Sequence, residues 1–192
     1  MTLRTLRLLL GVLSCAVVGV AVPQHIGAQQ SRNVVLGFSG GASLPSGDFG
    51  KLASTGYDVS ANLYVNSRDT KKNLSFRGDF NYEHWSAKTK ELGTFRGIGF
   101  FGNGLYTLGN KNMSARPYVI AGGGIHNFQR SFPTNTGDAG TGEVSDTKIA
   151  VQGGIGLQFY LQNFSTFLEG RYTVRFGESR SYWIPITFGF HF

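Results

Sequence analysis

The chain has 192 residues, a single cysteine and only 5 prolines. The cysteine, Cys15, lies inside the apolar run Leu8–Val22. That run is too short to cross a bilayer as a helix, which needs about 20 residues. Because no cysteine follows Cys15, disulfides cannot stabilise the rest of the chain.

The first residues have the pattern of a secretory leader. Arg4 and Arg7 precede the apolar run, and Ile26-Gly27-Ala28 forms a small-residue cleavage site before Gln29. We therefore expect a signal peptide at 1–28 and a mature domain at 29–192. The alternative, an N-terminal membrane anchor, is disfavoured by the length of the apolar run.

Charge of one sign is never concentrated in this sequence. Without Arg4 and Arg7, 16 of the 18 basic residues remain against 11 acidic ones, a net charge of +5. Lys71-Lys72 is the only adjacent basic pair, and no nucleic-acid-binding motif accompanies it. We therefore expect no nucleic-acid partner and assign the basic residues to solvent or lipid headgroups.

Glycine and aromatic residues are abundant, with 28 Gly, 16 Phe and 8 Tyr. Past the leader no window keeps a helical spacing, whereas eight segments alternate apolar and polar residues with a period of two. This pattern predicts an all-β chain. The segments are Asn33–Leu44, Tyr57–Asn66, Leu74–Trp85, Arg96–Leu108, Arg116–Arg130, Lys148–Leu161, Thr166–Phe176 and Tyr182–Phe192.

The connections between these segments alternate in length. Three of the odd ones are long (45–56, 86–95 and 131–147), the fourth is 177–181, and the even ones (67–73, 109–115 and 162–165) are short. Long loops at one rim and tight turns at the other are typical of outer-membrane barrels. We predict an eight-stranded up-and-down antiparallel transmembrane β-barrel, with 131–147 as a flexible surface loop that lacks a calcium-binding pattern.

Alternation alone does not say which face is outside. The alternative, a secreted soluble lipocalin-like barrel that binds an apolar ligand, has the same period with its apolar face inward. Aromatic residues near both ends of the segments favour the membrane arrangement, with two interfacial belts. The polar face also carries charges of both signs, which are tolerated in a lumen only when paired. The predicted lumen charge network consists of Arg77, Asp79, Glu83, Glu169, Arg171 and Arg175. The predicted belts are Tyr64, Phe76, Tyr106, Tyr118, Phe159, Phe167 and Phe190 at the short turns, and Tyr57, Tyr82, Trp85, Phe128, Phe176, Tyr182 and Trp183 at the long loops.

Two positions interrupt the regular pattern. Phe100 and Phe101 are adjacent in a glycine-rich segment, which predicts a bulge or bend. Pro185 lies inside the last strand, where a closed barrel has no free edge, so a second bulge is expected there. The run 97–102 has the letters of a dinucleotide fingerprint, but no helix follows it, so its glycines indicate close packing instead.

An enzymatic function has little support in the sequence. A lipid-modifying enzyme would need Ser, His and an acid together at the loop rim. His84 and Glu83 near one rim, with Ser131 or Ser181 across from them, could form such a set, but no local sequence pattern supports it. The other histidines of the mature chain, His126 and His191, have no metal-ligand spacing. We therefore expect no catalytic residue, no metal and no cofactor, and keep the lipid-modifying enzyme as an alternative.

In the last segment every second residue is apolar, namely Ile184, Ile186, Phe188, Phe190 and Phe192. With the stretches 43–49, 116–119 and 169–172, this strand resembles the small outer-membrane β-barrel domain proteins of the OmpA and OmpX kind. The resemblance covers the mature chain and implies a Gram-negative outer membrane, lipid as surroundings, a monomer, and barrel-assembly machinery that reads the terminal strand. It implies a non-enzymatic protein that contributes to the envelope or to surface contacts. At eight strands side chains fill the interior, so diffusion through a pore is not expected.

Overall fold

The computed structural model describes residues 34–66, 73–89, 93–109, 113–133, 141–161, 164–177 and 180–192. The predicted leader and its cleavage site lie outside these residues, so the signal peptide stays a prediction. Among the described helices none is long and apolar enough to cross a membrane.

The described residues form eight strands and one short helix. The helix is α1 (Gly47–Leu52). The strands are β1 (Val34–Ser46), β2 (Gly56–Asn66), β3 (Leu74–Ser86), β4 (Thr94–Thr107), β5 (Ala115–Pro133), β6 (Thr141–Tyr160), β7 (Ser165–Arg175) and β8 (Ser181–His191). The predicted fold is confirmed.

The strands pair in chain order and close between β8 and β1, all antiparallel. The pairing is staggered, because a path of directly paired residues that leaves β1 at Leu36 returns to β1 at Ser46. A stagger of this kind accompanies the tilt that lets a sheet close into a barrel. The path runs through Leu63, Gly78, Gly102, Gly123, Val151, Val174 and Tyr182.

Apolar side chains cover the outside of the barrel and polar ones face its interior. On β3, for example, Phe76 and Phe80 are exposed, whereas Arg77, Asp79 and Asn81 are buried. This is the reverse of a soluble lipocalin-like barrel, whose apolar face is turned inward.

The predicted bulge at Phe100 and Phe101 is wrong. The pairing register of β4 is continuous with both β3 and β5, and burial alternates along the whole strand. Phe100 is 60% exposed and Phe101 is 3% exposed, so the two rings point to opposite faces. Phe101 fills interior space beside Gly99, where a Cβ would lie 3.1 Å from the His126 ring.

Pro185 causes no bulge either. It pairs with Ser43 of β1 in an unbroken register. Towards β7 the ladder is interrupted between the pairs Gly170–Ile186 and Thr173–Trp183, and it resumes in the same register. The missing N–H of proline is therefore accommodated by a local gap in the ladder without an extra residue.

The aromatic belts are only partly on the outside. Six of the fourteen predicted belt residues point inward, because the position of a residue along its strand does not determine whether its side chain faces outward or into the barrel. Five are buried, and Phe128 is partly buried. The inward residues are Tyr64, Tyr118 and Phe167 near the short-turn rim and Trp85, Phe128 and Trp183 near the loop rim.

The inward aromatic residues at the loop rim form a plug with α1. Phe49 of this helix is 5% exposed, and its ring meets those of Trp85, Phe95 and Phe128 edge-on, with centroids 5.3–5.5 Å apart. Lys88 fixes the helix from the neighbouring loop by donating to the Gly50 carbonyl at 2.6 Å. We call Phe49, Trp85, Phe95, Phe128 and Trp183 the aromatic plug.

Candidate functional site

The charged network crosses the barrel between two strands on opposite sides. Arg77 of β3 makes a bidentate contact with Glu169 of β7, at 2.7 and 3.0 Å. Arg171 of β7 reaches back to Asp79 of β3 at 3.2 Å. Each arginine also pairs along its own strand, Arg77 with Asp79 at 2.8 Å and Arg171 with Glu169 at 3.2 Å. These four side chains are the lower layer of the interior, and all are nearly fully buried.

Neutral side chains donate further hydrogen bonds to the carboxylates of the lower layer. Tyr118 donates to Glu169 at 2.6 Å. Asn62 and Asn103 each donate to Asp79 at 2.9 Å. Buried ion pairs are tolerated only with this kind of additional hydrogen bonding, so the lower layer meets the condition for a stable buried network.

A second group of polar residues lies one step closer to the plug, as the inward positions of β3 continue past Asn81 to Glu83. The Glu83 carboxylate accepts a hydrogen bond from the Trp183 indole at 2.6 Å. Its other oxygen is 2.8 Å from the His126 ring nitrogen Nε2. We call Asp58, Asn81, Glu83 and His126 the upper layer, and all four are buried.

The six residues of the predicted charge network are therefore distributed over three places. Arg77, Asp79, Glu169 and Arg171 come together in the lower layer. Glu83 joins the upper layer, with His126 as its partner. Arg175 lies at the loop rim, where it donates to the Asp146 carboxylate at 2.9 Å.

Sequence reasoning missed several members of the interior that lie outside the predicted charge network. Their signal was present, because each occupies a polar position in the alternation of its strand. The alternation does not say which strand lies across the lumen, however, so the partners could not be assigned. The missed residues are Asp58, Asn62, Asn103, Tyr118, His126 and Gln152.

Inward glycines make room for these side chains. A Cβ at Gly97 would lie 2.6 Å from Nε2 of His126 and 2.9 Å from Oε2 of Glu83. A Cβ at the outward Gly102 would meet nothing within 4 Å. The interpretation of the β4 glycines as packing residues is thus supported for the inward positions.

The set of residues proposed for lipid chemistry does not assemble. Glu83 points into the barrel, whereas His84 lies on the outer face with its ring stacked on Tyr57, the centroids 5.4 Å apart. Adjacent residues of one strand face opposite ways, so these two cannot act as an acid–base pair. Among the described residues there is also no cluster of three or more His, Cys, Asp or Glu side chains that could hold a metal ion.

The hairpin of β5 and β6 projects beyond the rest of the barrel. Arg175, the last residue of β7, pairs with Ala150, whereas β6 begins at Thr141 and stays paired with β5 from there. Among the described residues, 141–148 of β6 have no backbone partner on the β7 side. Much of the predicted flexible loop 131–147 is therefore strand with an open edge, and residues 134–140 lie outside the described part.

The terminal residues quoted for barrel assembly lie on the outer face. Ile186, Phe188, Phe190 and Phe192 are 43–58% exposed, and Ile184 is half-buried. Their alternation with buried inward residues such as Thr187 and His191 follows the predicted faces of the last strand. Their recognition by assembly machinery stays a prediction.

Comparison with solved structures places this fold among small outer-membrane barrels. Neisserial surface protein A superposes with a TM-score of 0.61 at 13% identity, over 82% of this chain and 94% of that one. Ail, the attachment invasion locus protein of Yersinia pestis, gives 0.51 at 14% identity, over 83% and 97%. Ail in complex with the heparin analogue sucrose octasulfate gives 0.51 at 15% identity, with the same coverage. No family model and no curated protein sequence matches the chain.

Proposed function

We propose that this chain is an integral outer-membrane barrel that acts without catalysis, through contacts made by its loop rim. An apolar outer surface on a closed sheet suits lipid, because closure leaves no unpaired backbone in the hydrocarbon region. The side chains of the lower and upper layers fill the lumen, which argues against a diffusive pore. The outward apolar residues of β8 fit a terminal strand that assembly machinery reads during insertion.

The projecting β5–β6 hairpin is the observation that carries the proposed contact role. Open strand edges are usually shortened, covered or blocked because they pair with other chains. Here the edge at 141–148 extends past the end of β7, and residues 143–148 carry exposed side chains. A long edge exposed at the loop rim suits a surface for contact with other molecules.

Location and orientation are tested first. Fractionation of expressing Gram-negative cells is expected to recover the protein in the outer membrane, with faster gel migration before boiling than after it. In intact cells, a membrane-impermeant maleimide is expected to label Ser145→Cys on the hairpin and to leave Ser114→Cys at the short-turn rim unlabelled. Soluble periplasmic recovery, or labelling of Ser114→Cys alone, would contradict the proposal.

The contact role is tested on the hairpin itself. The Ile149 carbonyl points towards β7, so by the period of two the backbone of Ser145 also faces the open side. Ser145→Pro would remove an edge donor without breaking the pairing with β5, and Ser145→Ala is its matched control. If the hairpin makes the contact, adhesion of expressing cells to surfaces is expected to fall for the proline variant alone.

A sulfated or phosphorylated polyanion is a second candidate partner, favoured by the charge of the loop rim. Seven described basic residues lie there against three acidic ones, Asp48, Glu143 and Asp146. Retention on heparin beads is expected to drop in Arg96→Glu with Lys148→Glu and to persist in Arg116→Glu, at the opposite rim. The basic residues are Lys51, Lys88, Arg96, Arg130, Lys148, Arg175 and Arg180.

A further inference from the structure

On the outer face of β3, β4, β5 and β6, side chains change from apolar to polar over four residues towards the loop rim. Directly paired residues form rows across these strands, and the change lies between two such rows. The apolar row is Phe80, Phe100, Ile125 and Ile149, and the polar row is His84, Arg96, Gln129 and Ser145. Every side chain of the apolar row is 44–65% exposed. A border of this kind on a membrane barrel is where hydrocarbon gives way to lipid headgroups.

Arg96 is the cation of the polar row, and its side chain is exposed. Among the residues that the structure describes, no hydrogen bond or ion pair satisfies its guanidinium group. Glu143, an acidic residue on the same face of the hairpin, lies two strands away on β6 and accepts a hydrogen bond from Ser131 at 3.3 Å. The guanidinium group therefore offers its fork of N–H donors to an anion from outside the described chain.

His84 and Gln129 lie directly opposite Arg96, one on each neighbouring strand. Directly opposed residues of antiparallel strands have Cβ atoms about 4.5–5.5 Å apart, so both side chains flank the guanidinium group. The His84 ring is stacked on Tyr57, with the centroids 5.4 Å apart and the planes at 26°. A guanidinium, an imidazole and an amide are thus placed together as donors at the border of the apolar surface.

We propose that Arg96, with His84 and Gln129 beside it, binds the phosphate of a lipid headgroup in the outer leaflet. The planar guanidinium fork matches the oxygens of a phosphate group. The apolar row lies on the membrane side of these donors, where it would contact the acyl chains of the same lipid. A lipid phosphate uses both rows, whereas a soluble anion would use the polar one alone. The inference rests on the proposed membrane location.

The site is distinct from the general positive charge of the loop rim. Lys148 belongs to that rim as well, but it pairs directly with the buried His126 and so lies on the inward face of the hairpin. Its ammonium group is 3.4 Å from the Asp146 carboxylate. Lys148 is therefore the matched control for Arg96, with a similar height on the barrel and the opposite face.

The test measures thermal unfolding of the full chain refolded into a neutral detergent. The probes are lipid A, a glycolipid with phosphate groups on its sugars, and lipid A from which the phosphates have been removed. A ligand that binds only the folded state raises the melting temperature with its concentration. Wild type is expected to respond to the phosphorylated lipid. Arg96→Gln is expected to need about tenfold more of it for the same rise, whereas Lys148→Gln is expected to respond as wild type does.

A second variant keeps Arg96 and gives it an internal partner. Gln129→Glu places a carboxylate directly opposite the guanidinium group and is expected to weaken the response. Val144→Glu, which adds the same charge on the inward face of the hairpin, is expected to leave it unchanged.

Several outcomes would overturn the proposal. They are an equal rise with both lipids, an unchanged response in Arg96→Gln, and an equal loss in Lys148→Gln. A rise caused by inorganic phosphate at the same concentration would identify a site for a free anion instead. Because fractionation tests the membrane location separately, an outer-membrane protein without the lipid response would contradict this inference alone.

Discussion

The two layers of the interior compensate buried charge in different ways. In the lower layer each carboxylate contacts both guanidinium groups, and all four ion pairs are 3.2 Å or shorter. In the upper layer Glu83 accepts a hydrogen bond from the Trp183 indole and contacts the His126 imidazole. Asp58 accepts hydrogen bonds from neutral donors only. The two layers share one strand, β3, which contributes Arg77 and Asp79 to the lower layer and Asn81 and Glu83 to the upper one.

This difference teaches that alternation along a strand determines which positions carry polar side chains. It does not determine how a buried charge at such a position is paired. The lower layer is closed by pairing across the lumen between β3 and β7, whereas the upper layer is joined to the plug by the hydrogen bond between Glu83 and Trp183. We therefore expect the lower layer to act as a rigid cross-brace. The upper layer is expected to respond to changes in the plug above it.

The largest effect is expected from removing one arginine of the lower layer. Arg77→Met would leave Glu169 without its bidentate partner, and breaking a buried pair in this way costs about 3–5 kcal/mol. Chemical unfolding in detergent measures the loss. The double variant Arg77→Met with Glu169→Met keeps Arg171 paired with Asp79 and is expected to recover much of it. A double variant as unstable as the single one would show that packing, and not charge, holds this layer.

A smaller effect is expected where space in the upper layer is taken away. Gly97→Ala places a methyl group against His126 and Glu83, and overpacking of this kind costs about 1–3 kcal/mol. Gly102→Ala, on the same strand but facing outward into open space, is expected to stay within about 0.5 kcal/mol of wild type. Equal stability losses for the two variants, measured by the same unfolding experiment, would contradict the assigned faces of β4.

A substitution in the aromatic plug is expected to change the environment of the nearby tryptophans. Trp85 and Trp183 are the only tryptophans of the chain, and both are 0% exposed. Phe49→Ala removes the ring that covers them from α1, so their emission should shift to the red and become accessible to acrylamide. Leu52→Ala, an exposed position on the same helix, should leave both signals unchanged. Unaltered quenching in Phe49→Ala would show that the strands alone shield the tryptophans.

The sequence predicted strand number, order and faces because a half-buried strand repeats every two residues. It could not predict the partners across the lumen, since Arg77 and Glu169 are 92 residues apart and meet only once the barrel closes. It also missed the projecting part of β6, because residues 143–147 are exposed on both faces and show no alternation. The bulges predicted at Phe101 and Pro185 failed for a local reason, as glycines beside the first and a ladder gap beside the second make room without an extra residue.

The smallest effect is expected at the base of the hairpin, where Arg175 holds Asp146. The hydrogen bond from Arg175 lowers the pKa of Asp146 below its ordinary value of 3.8. A carboxyl whose pKa is lowered on folding adds stability above the unfolded value, and that addition is lost as the pH falls through the folded value. Asp146→Asn should therefore melt slightly below wild type at pH 6, and the two should converge as the pH falls below 3.8 and the carboxyl becomes protonated in the folded state as well. Because the carboxylate is exposed, solvent screens the pair and keeps the difference small. A difference that persists in acid would mean that the charge of the Asp146 side chain is not the source of its contribution, since the backbone carbonyl that also accepts from Arg175 is the same in both proteins.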